Sequence, residues 1–535
     1  RFGCEKRTFG CEKRRRWFSF FTRVKYGLTS LTFAGAVSLE TRKYGKPYHN
    51  VNAQNRAKLS PLAYNDHPPA LFALAGATAS RHRSVAPSAA TPPRSRFARI
   101  TRLPRTDATP LLMQTTCPHC WHKFQPVDIL WVSVHPELRG DPKLGPDHQR
   151  RFLPSRFTPA GFALDARGRE CRELACPNCH LTVPRALLEL PPCFVSILGT
   201  PSCGKSFYLA ALIWEMRRLM PSQFGMSFGD TDAVANQVLI DYEQQLFCNS
   251  NPHEVVSLGD LIRKTEEQGD MYDTVLMGEE SISYPKPIMF TMRPKENHWK
   301  GKEADKFARV LCIYDNAGES FLPGKDTFSN PVTRHLASSS ALLFLFDPTQ
   351  HPPFRQRLER AGLVVASGAR GRAGRQDLIL IEAATRIRRL LNMGDALKHS
   401  KPLIVIVTKK DLWGPLLSES VPARQPLVTT RSGLLALNVD AMDEHSRKVR
   451  KLLNETTPEI VEAAENFAES VTFIGVSALG KLPKKIGDLW GIEPDAIQPE
   501  NVTLPLLLSF HLRLPGCIPV ASRQSRTAVP AKESA

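Results

Sequence analysis

No methionine precedes Met113, although ten occur in the chain of 535 residues. Acidic side chains are also scarce there. Residues 1–112 hold 21 Lys and Arg against 5 Asp and Glu, whereas the other 423 residues hold 50 against 47. The formal net charge of +19 therefore sits almost wholly in the first fifth of the chain. A basic total usually points to nucleic acid, but the nearly balanced body makes such a partner a poor expectation for it. The N-terminal stretch also lacks periodicity. "FGCEKR" occurs at 2–7 and again at 9–14, and Pro, Ser, Ala and Arg dominate from Ser80 to Pro110. Together these features predict a disordered segment over 1–112, a non-native extension ahead of Met113. The alternative is a basic arm for nucleic acid or anionic lipid. "KRRRWFSFFTRVKYGLTSLTFAGAVSLE" has the order of a signal peptide, but Thr and Ser interrupt its apolar run, which argues against export.

Long apolar runs are missing too. No window approaches the roughly 20 residues of a membrane span, so the expected compartment is the cytoplasm. Of twelve cysteines only four fall in close pairs, which favours a metal site in a reducing compartment over a disulfide scaffold.

Those pairs are Cys117-Pro118-His119-Cys120 and Cys176-Pro177-Asn178-Cys179. Two intervening residues let both thiolates of a pair face one tetrahedral ion, and two such knuckles complete a four-sulfur shell. Proline after the first cysteine pre-sets the turn. The 55-residue spacer exceeds the usual ribbon spacing of about 15–20, so an insertion must separate the knuckles, and 135–160 reads as a loop. The expectation is a structural zinc ribbon over 113–190, with His119, His122, Cys171 and His180 as substitute ligands. The pairs resemble zinc-ribbon knuckles found in many unrelated proteins, which names no partner.

In "LGTPSCGKSF", Gly199 and four residues precede Gly204-Lys205-Ser206. This is the spacing of a phosphate loop (Walker A). The apolar "CFVSILG" before it reads as a strand, and "SFYLAALIWEMRRLM" after it as a helix stopped by Pro221. The loop residues Gly199, Thr200, Pro201, Ser202, Cys203, Gly204, Lys205, Ser206 and Phe207 would surround the phosphates with their backbone N–H groups, Pro201 having none, aided by the positive end of the helix. Lys205 would reach the β- and γ-phosphates and Ser206 would ligate Mg²⁺. "RVLCIYDNAGES" supplies a second carboxylate, Asp315, at the end of an apolar strand, where ligands bind in open α/β sheets. Gly318 follows at the spacing of a γ-phosphate sensor.

The base comes from two further stretches. "KPLIVIVTKKDLW" places Thr408, Lys409 and Asp411 after a buried strand. A carboxylate at Asp411 accepts from both N1–H and the N2 amine of guanine, and adenine offers no matching pair. The stem of Lys409 can lie along the base. "SVTFIGVSALG" ends in Ser477-Ala478-Leu479, whose backbone can donate to guanine O6. In this order the motifs resemble the G domain of Ras-like and translation-factor-class GTPases, over roughly 191–490. A ribbon ahead of such a domain also resembles, more weakly, predicted bacterial GTPases of conflict systems. The resemblance implies GTP and GDP binding, Mg²⁺ dependence and a nucleotide-driven switch, with Lys205, Asp315, Gly318 and Glu319 at the hydrolytic centre. Thr408 departs from the commoner Asn that steadies the loop. Glu319 stands where Ras-like domains usually carry a water-positioning Gln, which predicts slow intrinsic hydrolysis.

About 95 residues separate the first helix from Asp315. Within them "DTDAVANQVLIDYEQQLF" reads as an amphipathic helix with Val234, Val238, Tyr242 and Leu246 on one face, and Thr231, Thr265 and Thr274 are candidate switch threonines. Six arginines between Arg355 and Arg375 read as a solvated insertion, with an arginine finger as the alternative. The expected architecture is α/β: a P-loop G domain, its mostly parallel sheet covered by helices on both faces, preceded by the small zinc ribbon and the disordered segment. Its expected bounds are 191–515, with insertions at about 221–300 and 349–376, then a disordered tail at 516–535. The expected function is a Mg²⁺-dependent, slowly hydrolysing GTP switch with GTP/GDP, Mg²⁺ and Zn²⁺ as cofactors and a protein partner or activator. The alternatives are a non-hydrolysing GTP-dependent binding module and a nucleic-acid-binding protein using ribbon and arm.

Overall fold

The computed structural model describes residues 111–258, 272–315, 334–363, 375–417, 424–486 and 489–521. Its fold is mixed α/β. The expectations for residues 1–110, Thr265, Gly318, Glu319, residues 364–374 and the tail beyond 521 fall on residues outside those described.

Seven strands form the central sheet: β1 (Pro192–Gly199), β2 (Met226–Asp230), β3 (Ile288–Pro294), β4 (Arg309–Asp315), β5 (Ala341–Phe346), β6 (Leu403–Val407) and β7 (Val471–Gly475). Their order is β2-β3-β4-β1-β5-β6-β7. β4, β1, β5, β6 and β7 run parallel, while β2 and β3 add an antiparallel edge. β5 and β6 carry no polar residue and are wholly buried. That suits a parallel strand covered on both faces.

Successive residues of each strand point to opposite faces. On one face Val195, Ile197, Leu311, Ile313, Leu343 and Ile406 pack with helices α1 (Lys205–Gln223), α2 (Gln237–Phe247) and the C-terminal Leu504–Arg513. On the other, Phe344 and Val405 meet helices Gln376–Leu390, Val439–Thr456 and Pro458–Phe467. Over β1 and β4 that second face is covered instead by the cysteine-bearing segment, which packs on Phe194, Val310, Cys312 and Tyr314.

Several local expectations differ. The spacer between the knuckles is structured: strands Arg139–Asp141 and Gly145–Gln149 form a hairpin, Arg151–Phe152 joins a four-stranded sheet, and Ala163–Leu164 pairs with Glu170–Cys171. Asp141 and Asp165 organise these turns by accepting backbone N–H groups, so a stretch rich in Gly, Pro and Asp folds instead of looping out. α1 runs past Pro221 to Gln223, because Pro221 falls in its last turn. In α2 the buried ridge is Leu239, Glu243 and Leu246, and Val234 is 85% exposed. Arg217 on α1 explains this by holding Glu243 at 3.1 Å and Asp230 at 2.7 Å. Part of the arginine-rich insertion is the helix Pro352–Arg360, anchored by buried Phe354 and Leu358. Of the expected tail, Cys517 and Ile518 are buried and Val520 pairs with Leu437.

Candidate functional site

The loop 200–204 leaves the end of β1 and turns straight into α1. A Cβ on Gly199 would lie 2.8 Å from the Leu345 carbonyl and from Cys203 Sγ, so only glycine fits between the strand and its loop. Ser202 (φ 61°) and Gly204 (φ 93°) are left-handed, the kind of alternation that forms anion-binding concavities. The N-terminus of α1 adds partial positive charge. Lys205 Nζ donates to the carbonyls of Gly199 and Thr200, both at 3.1 Å, which holds the ammonium over the loop. Ser206 follows on the first helical turn. Phe207 differs from the rest of the predicted set: its ring packs against the core, leaving only its backbone to the loop.

β4 runs beside β1, with Asp315 in register with Ile197. Val310, Cys312 and Tyr314 face the cysteine-bearing segment, so Asp315 faces α1 with Ile313. Burial pushes its carboxyl pKa up, and Lys205 pulls the other way. Among the described residues, its Oδ1 is a buried oxygen without a hydrogen-bond partner. A buried acceptor oxygen with no donor has the chemistry that suits a hard cation such as Mg²⁺. Of the switch candidates, Thr231 Oγ1 bonds Thr291 Oγ1 at 2.9 Å, and Thr274 sits opposite Ser283 in the hairpin 272–285.

The segments after β6 and β7 meet the same end of the sheet. Thr408 is buried, and its Oγ1 donates to the Cys203 carbonyl at 3.2 Å and the Phe346 carbonyl at 3.3 Å. Lys409 takes a left-handed φ of 59°, and its Nζ reaches Asp347 Oδ2 at 2.6 Å and Thr349 Oγ1 at 3.1 Å. The head is thus anchored on the segment that follows β5. Asp411 Oδ1 accepts from Ser477 Oγ at 2.5 Å. Burial pushes the Asp411 carboxyl up, and the Ser477 bond pulls it down. Ser477 Oγ in turn accepts from the Gly480 amide at 2.7 Å, which closes the turn through Ala478 and Leu479. A Cβ on Gly480 would overlap the Gln498 carbonyl at 1.7 Å, so this turn requires glycine. Ala478 and Leu479 rest against the core.

Two residues of this end escaped the sequence reading. Gln376 is buried at the start of its helix. Its amide oxygen accepts from Thr200 Oγ1 at 3.1 Å and from the Asp347 amide at 3.0 Å, while its NH₂ donates to the Asp347 carbonyl at 2.7 Å. Asp347 closes "ALLFLFD" as Asp315 closes "RVLCIYD", and that shared pattern was the available signal. No local pattern marks Gln376. Of the arginine-finger candidates, Arg355 donates to the Thr349 carbonyl at 3.0 Å and Arg375 pairs with Asp377.

The four paired cysteines converge. Cys117 Sγ lies 3.8 Å from Cys179 Sγ and Cys120 Sγ 3.7 Å from Cys176 Sγ, all buried and all within 4.8 Å of one another. Four sulfurs about 2.3 Å from a tetrahedral zinc stand about 3.8 Å apart, so the spacing fits the ion. Backbone N–H groups of His119 and Asn178 point at Cys117 and Cys176 sulfurs at 3.4 and 3.3 Å. Without an ion the four thiols divide: burial pushes Cys117 up and Cys179 also rises, while hydrogen bonds from neighbouring thiols pull Cys120 and Cys176 down. His119, His180 and Cys171 are turned elsewhere: the first to the Thr182 carbonyl, the second to Asp141, the third to the Arg169 carbonyl. His122 is exposed and outside the cluster. Among the described residues no helix is long and apolar enough to cross a membrane.

No protein-family model matches the chain. SaeC of Mycolicibacterium smegmatis, to which a role in ESX-1 scaffolding and assembly is ascribed, is 26% identical over 407 residues, which span 69% of this chain and 92% of that protein. Two solved structures of the GTPase Era show a distant likeness. The Aquifex aeolicus protein bound to GDP and AlF₄⁻ has 13% identity and a TM-score of 0.17 over 54% of this chain. Era with MgGDPNP and a 16S ribosomal RNA fragment has 12% identity and a TM-score of 0.18 over 56%. The chain spans 51% and 60% of the length of those two structures.

Proposed function

We propose that this protein is a Mg²⁺-dependent GTP-binding switch that hydrolyses GTP slowly and carries zinc in its cysteine cluster. One observation supports this reading most. Thr408 Oγ1, from the segment ending in Asp411, donates to the Cys203 carbonyl of the phosphate loop, so base and phosphate elements share one bonded end of the sheet. Lys205, the backbone N–H groups from Gly199 to Phe207 (Pro201 has none) and the positive end of α1 bind phosphate. Ser206 and Asp315 hold the magnesium, which when bound neutralises charge developing on the phosphates. Asp411, Lys409 and the Ser477–Leu479 turn read guanine. The domain bounds are those of the sequence reading, with the ribbon at 113–190 and the nucleotide domain from 191, extended at its C-terminal side to 521.

The full-length chain, titrated with fluorescent GTP and ATP with and without Mg²⁺, tests the reading. GTP should bind with a strong Mg²⁺ requirement, and ATP should not compete. Equal affinity for the two nucleotides would remove the guanine assignment.

A second reading keeps GTP binding and drops turnover, leaving a nucleotide-dependent docking module. Two things favour it: the scaffolding role ascribed to SaeC and the carboxylate of Glu319 in place of an amide. A carboxylate accepts from water but cannot donate to the γ-phosphate. In the slow-GTPase reading, Glu319→Gln binds GTP as the parent does and hydrolyses it at least as fast. No turnover by either protein would leave the docking module.

A further inference from the structure

Tyr314 immediately precedes Asp315 on β4 and is fully buried. Successive strand side chains face opposite ways, so Asp315 faces α1 while Tyr314 faces the cysteine-bearing segment. Its hydroxyl is used in both directions. It donates to the Pro118 carbonyl at 2.5 Å and accepts from Trp121 Nε1 at 3.1 Å. Both partners belong to the first knuckle. Pro118 lies between its cysteines. Trp121 follows Cys120 in a left-handed conformation (φ 57°), and its amide donates to the Cys117 carbonyl at 3.0 Å. Below the hydroxyl the Tyr314 ring stacks on His335 at 4.8 Å and 27°, and His335 Nδ1 is bonded to Ser196 of β1 at 2.5 Å. Trp121 also meets Tyr284 edge-on at 6.2 Å. The penultimate residue of β4 is therefore gripped from the knuckle above and from β1 beside it.

A phenol is not needed to fill this space, since phenylalanine has the same ring. What tyrosine adds is one donor and one acceptor aimed at backbone and indole groups whose positions the knuckle fixes. A pinned side chain at the last position but one sets the pleat of the strand end, and hence the direction of the next side chain. We propose that Tyr314 is a positioning residue: through its hydroxyl the first cysteine knuckle orients Asp315, so that the state of the cysteine cluster sets how strongly Mg²⁺ tightens nucleotide binding. The inference rests on the Mg²⁺–nucleotide reading above.

The test compares fluorescent GDP affinity with and without Mg²⁺ in full-length parent and Tyr314→Phe, before and after a zinc-selective chelator. Tyr314→Phe should match the parent without Mg²⁺ and lose about tenfold of the Mg²⁺-dependent gain, the scale of effect seen when an outer-shell partner of a metal ligand is removed. Chelation should lower the gain in the parent by a similar factor and change it little in Tyr314→Phe, because both act through one connection. A general loss of packing would weaken binding with and without Mg²⁺ alike. If Tyr314→Phe does not fold, Trp121→Phe removes the other bond to the hydroxyl and should show the same Mg²⁺-specific loss. A parental Mg²⁺ gain in the variant that folds, or an equal effect of chelator on parent and variant, overturns the inference alone. A parent that binds no GDP under any condition overturns both this inference and the nucleotide reading.

Discussion

Thr408 Oγ1 and the Cys203 carbonyl oxygen lie 3.2 Å apart, although 205 residues separate them in sequence. Both are buried, so this bond joins the loop after β6 to the loop 200–204 out of contact with water. The same hydroxyl also approaches the Phe346 carbonyl at 3.3 Å, which ties β5 into the joint. An Asn side chain, common at this position in the G domains that the sequence resembles, could make such a bond with its amide. A threonine does so with a shorter arm.

Thr408→Val keeps the shape and removes the donor. The carbonyls it served are then buried and less well satisfied, at a cost of roughly 1–2 kcal/mol. Release of fluorescent GDP should quicken by about fivefold to thirtyfold if that cost falls on the bound state. Thr408→Asn should restore much of the parental rate. Unchanged release in Thr408→Val would show that the two loops do not depend on this bond.

Asp411 is the next link outward. Its Oδ1 already accepts from Ser477 Oγ at 2.5 Å, which aims the carboxylate without using its full acceptor capacity. If Asp411 reads guanine as proposed, Asp411→Asn puts a donor where the base amine needs an acceptor. GTP affinity should fall by about a hundredfold, as expected for losing a charge-assisted pair worth roughly 3 kcal/mol. Xanthosine triphosphate, which presents an acceptor there, should lose far less. Competition titrations of the two nucleotides measure this, and equal losses would remove the guanine contact.

The cysteine cluster and the strand, glycine loop and helix around Gly199–Lys205 were legible because both patterns restrict residue type and spacing. Gly199 tolerates no Cβ, Asp315 ends the apolar strand β4, and Asp411 lies four residues beyond the apolar strand β6. Convergence of the four thiols followed from the two CxxC spacings despite the long spacer. What stayed hidden depends on tertiary partners. Glu243 is buried because Arg217 reaches it from another helix, and a hydrophobic pattern scores that position as solvent-facing. Gln376 matters because Thr200 and Asp347 happen to lie at its amide. Tyr314 reads as one more apolar residue of a buried strand until Pro118 and Trp121 are seen at its hydroxyl.

The cysteine cluster makes its own prediction. Cys176 is fully buried, and its sulfur accepts from the Asn178 amide. One equivalent of zinc should co-purify with the parent. Cys176→Ser leaves three thiolates, so the metal should be lost on dialysis and the melting temperature should fall. Metal analysis and a thermal melt suffice. A metal-free parent, or a variant with parental metal content and melting temperature, would count against the zinc assignment.

His445 gives the pH dependence. On the helix Val439–Thr456 its Nε2 accepts from the Gly475 amide at 3.0 Å, which requires the neutral ring. Burial, helped by Lys410 and Lys448 and opposed by Glu500, pushes its pKa down to about 4. In the unfolded chain the same ring titrates near its ordinary value of about 6.5. Below that value the unfolded state binds a proton that the folded state refuses. The contribution of His445 is therefore complete above about pH 6.5 and is lost as pH falls toward 4. At about 1.4 kcal/mol per unit this amounts to at most about 3 kcal/mol. His445→Gln offers the Gly475 amide a carbonyl acceptor that does not titrate. Urea midpoints between pH 4.5 and 7.5 should fall less steeply on acidification in the variant than in the parent. Other buried imidazoles, among them His399 and His298, titrate in the same direction, so the difference between the two proteins is the informative quantity. Parallel curves would mean that His445 titrates alike in folded and unfolded chains, and that the bond to Gly475 does not hold it neutral.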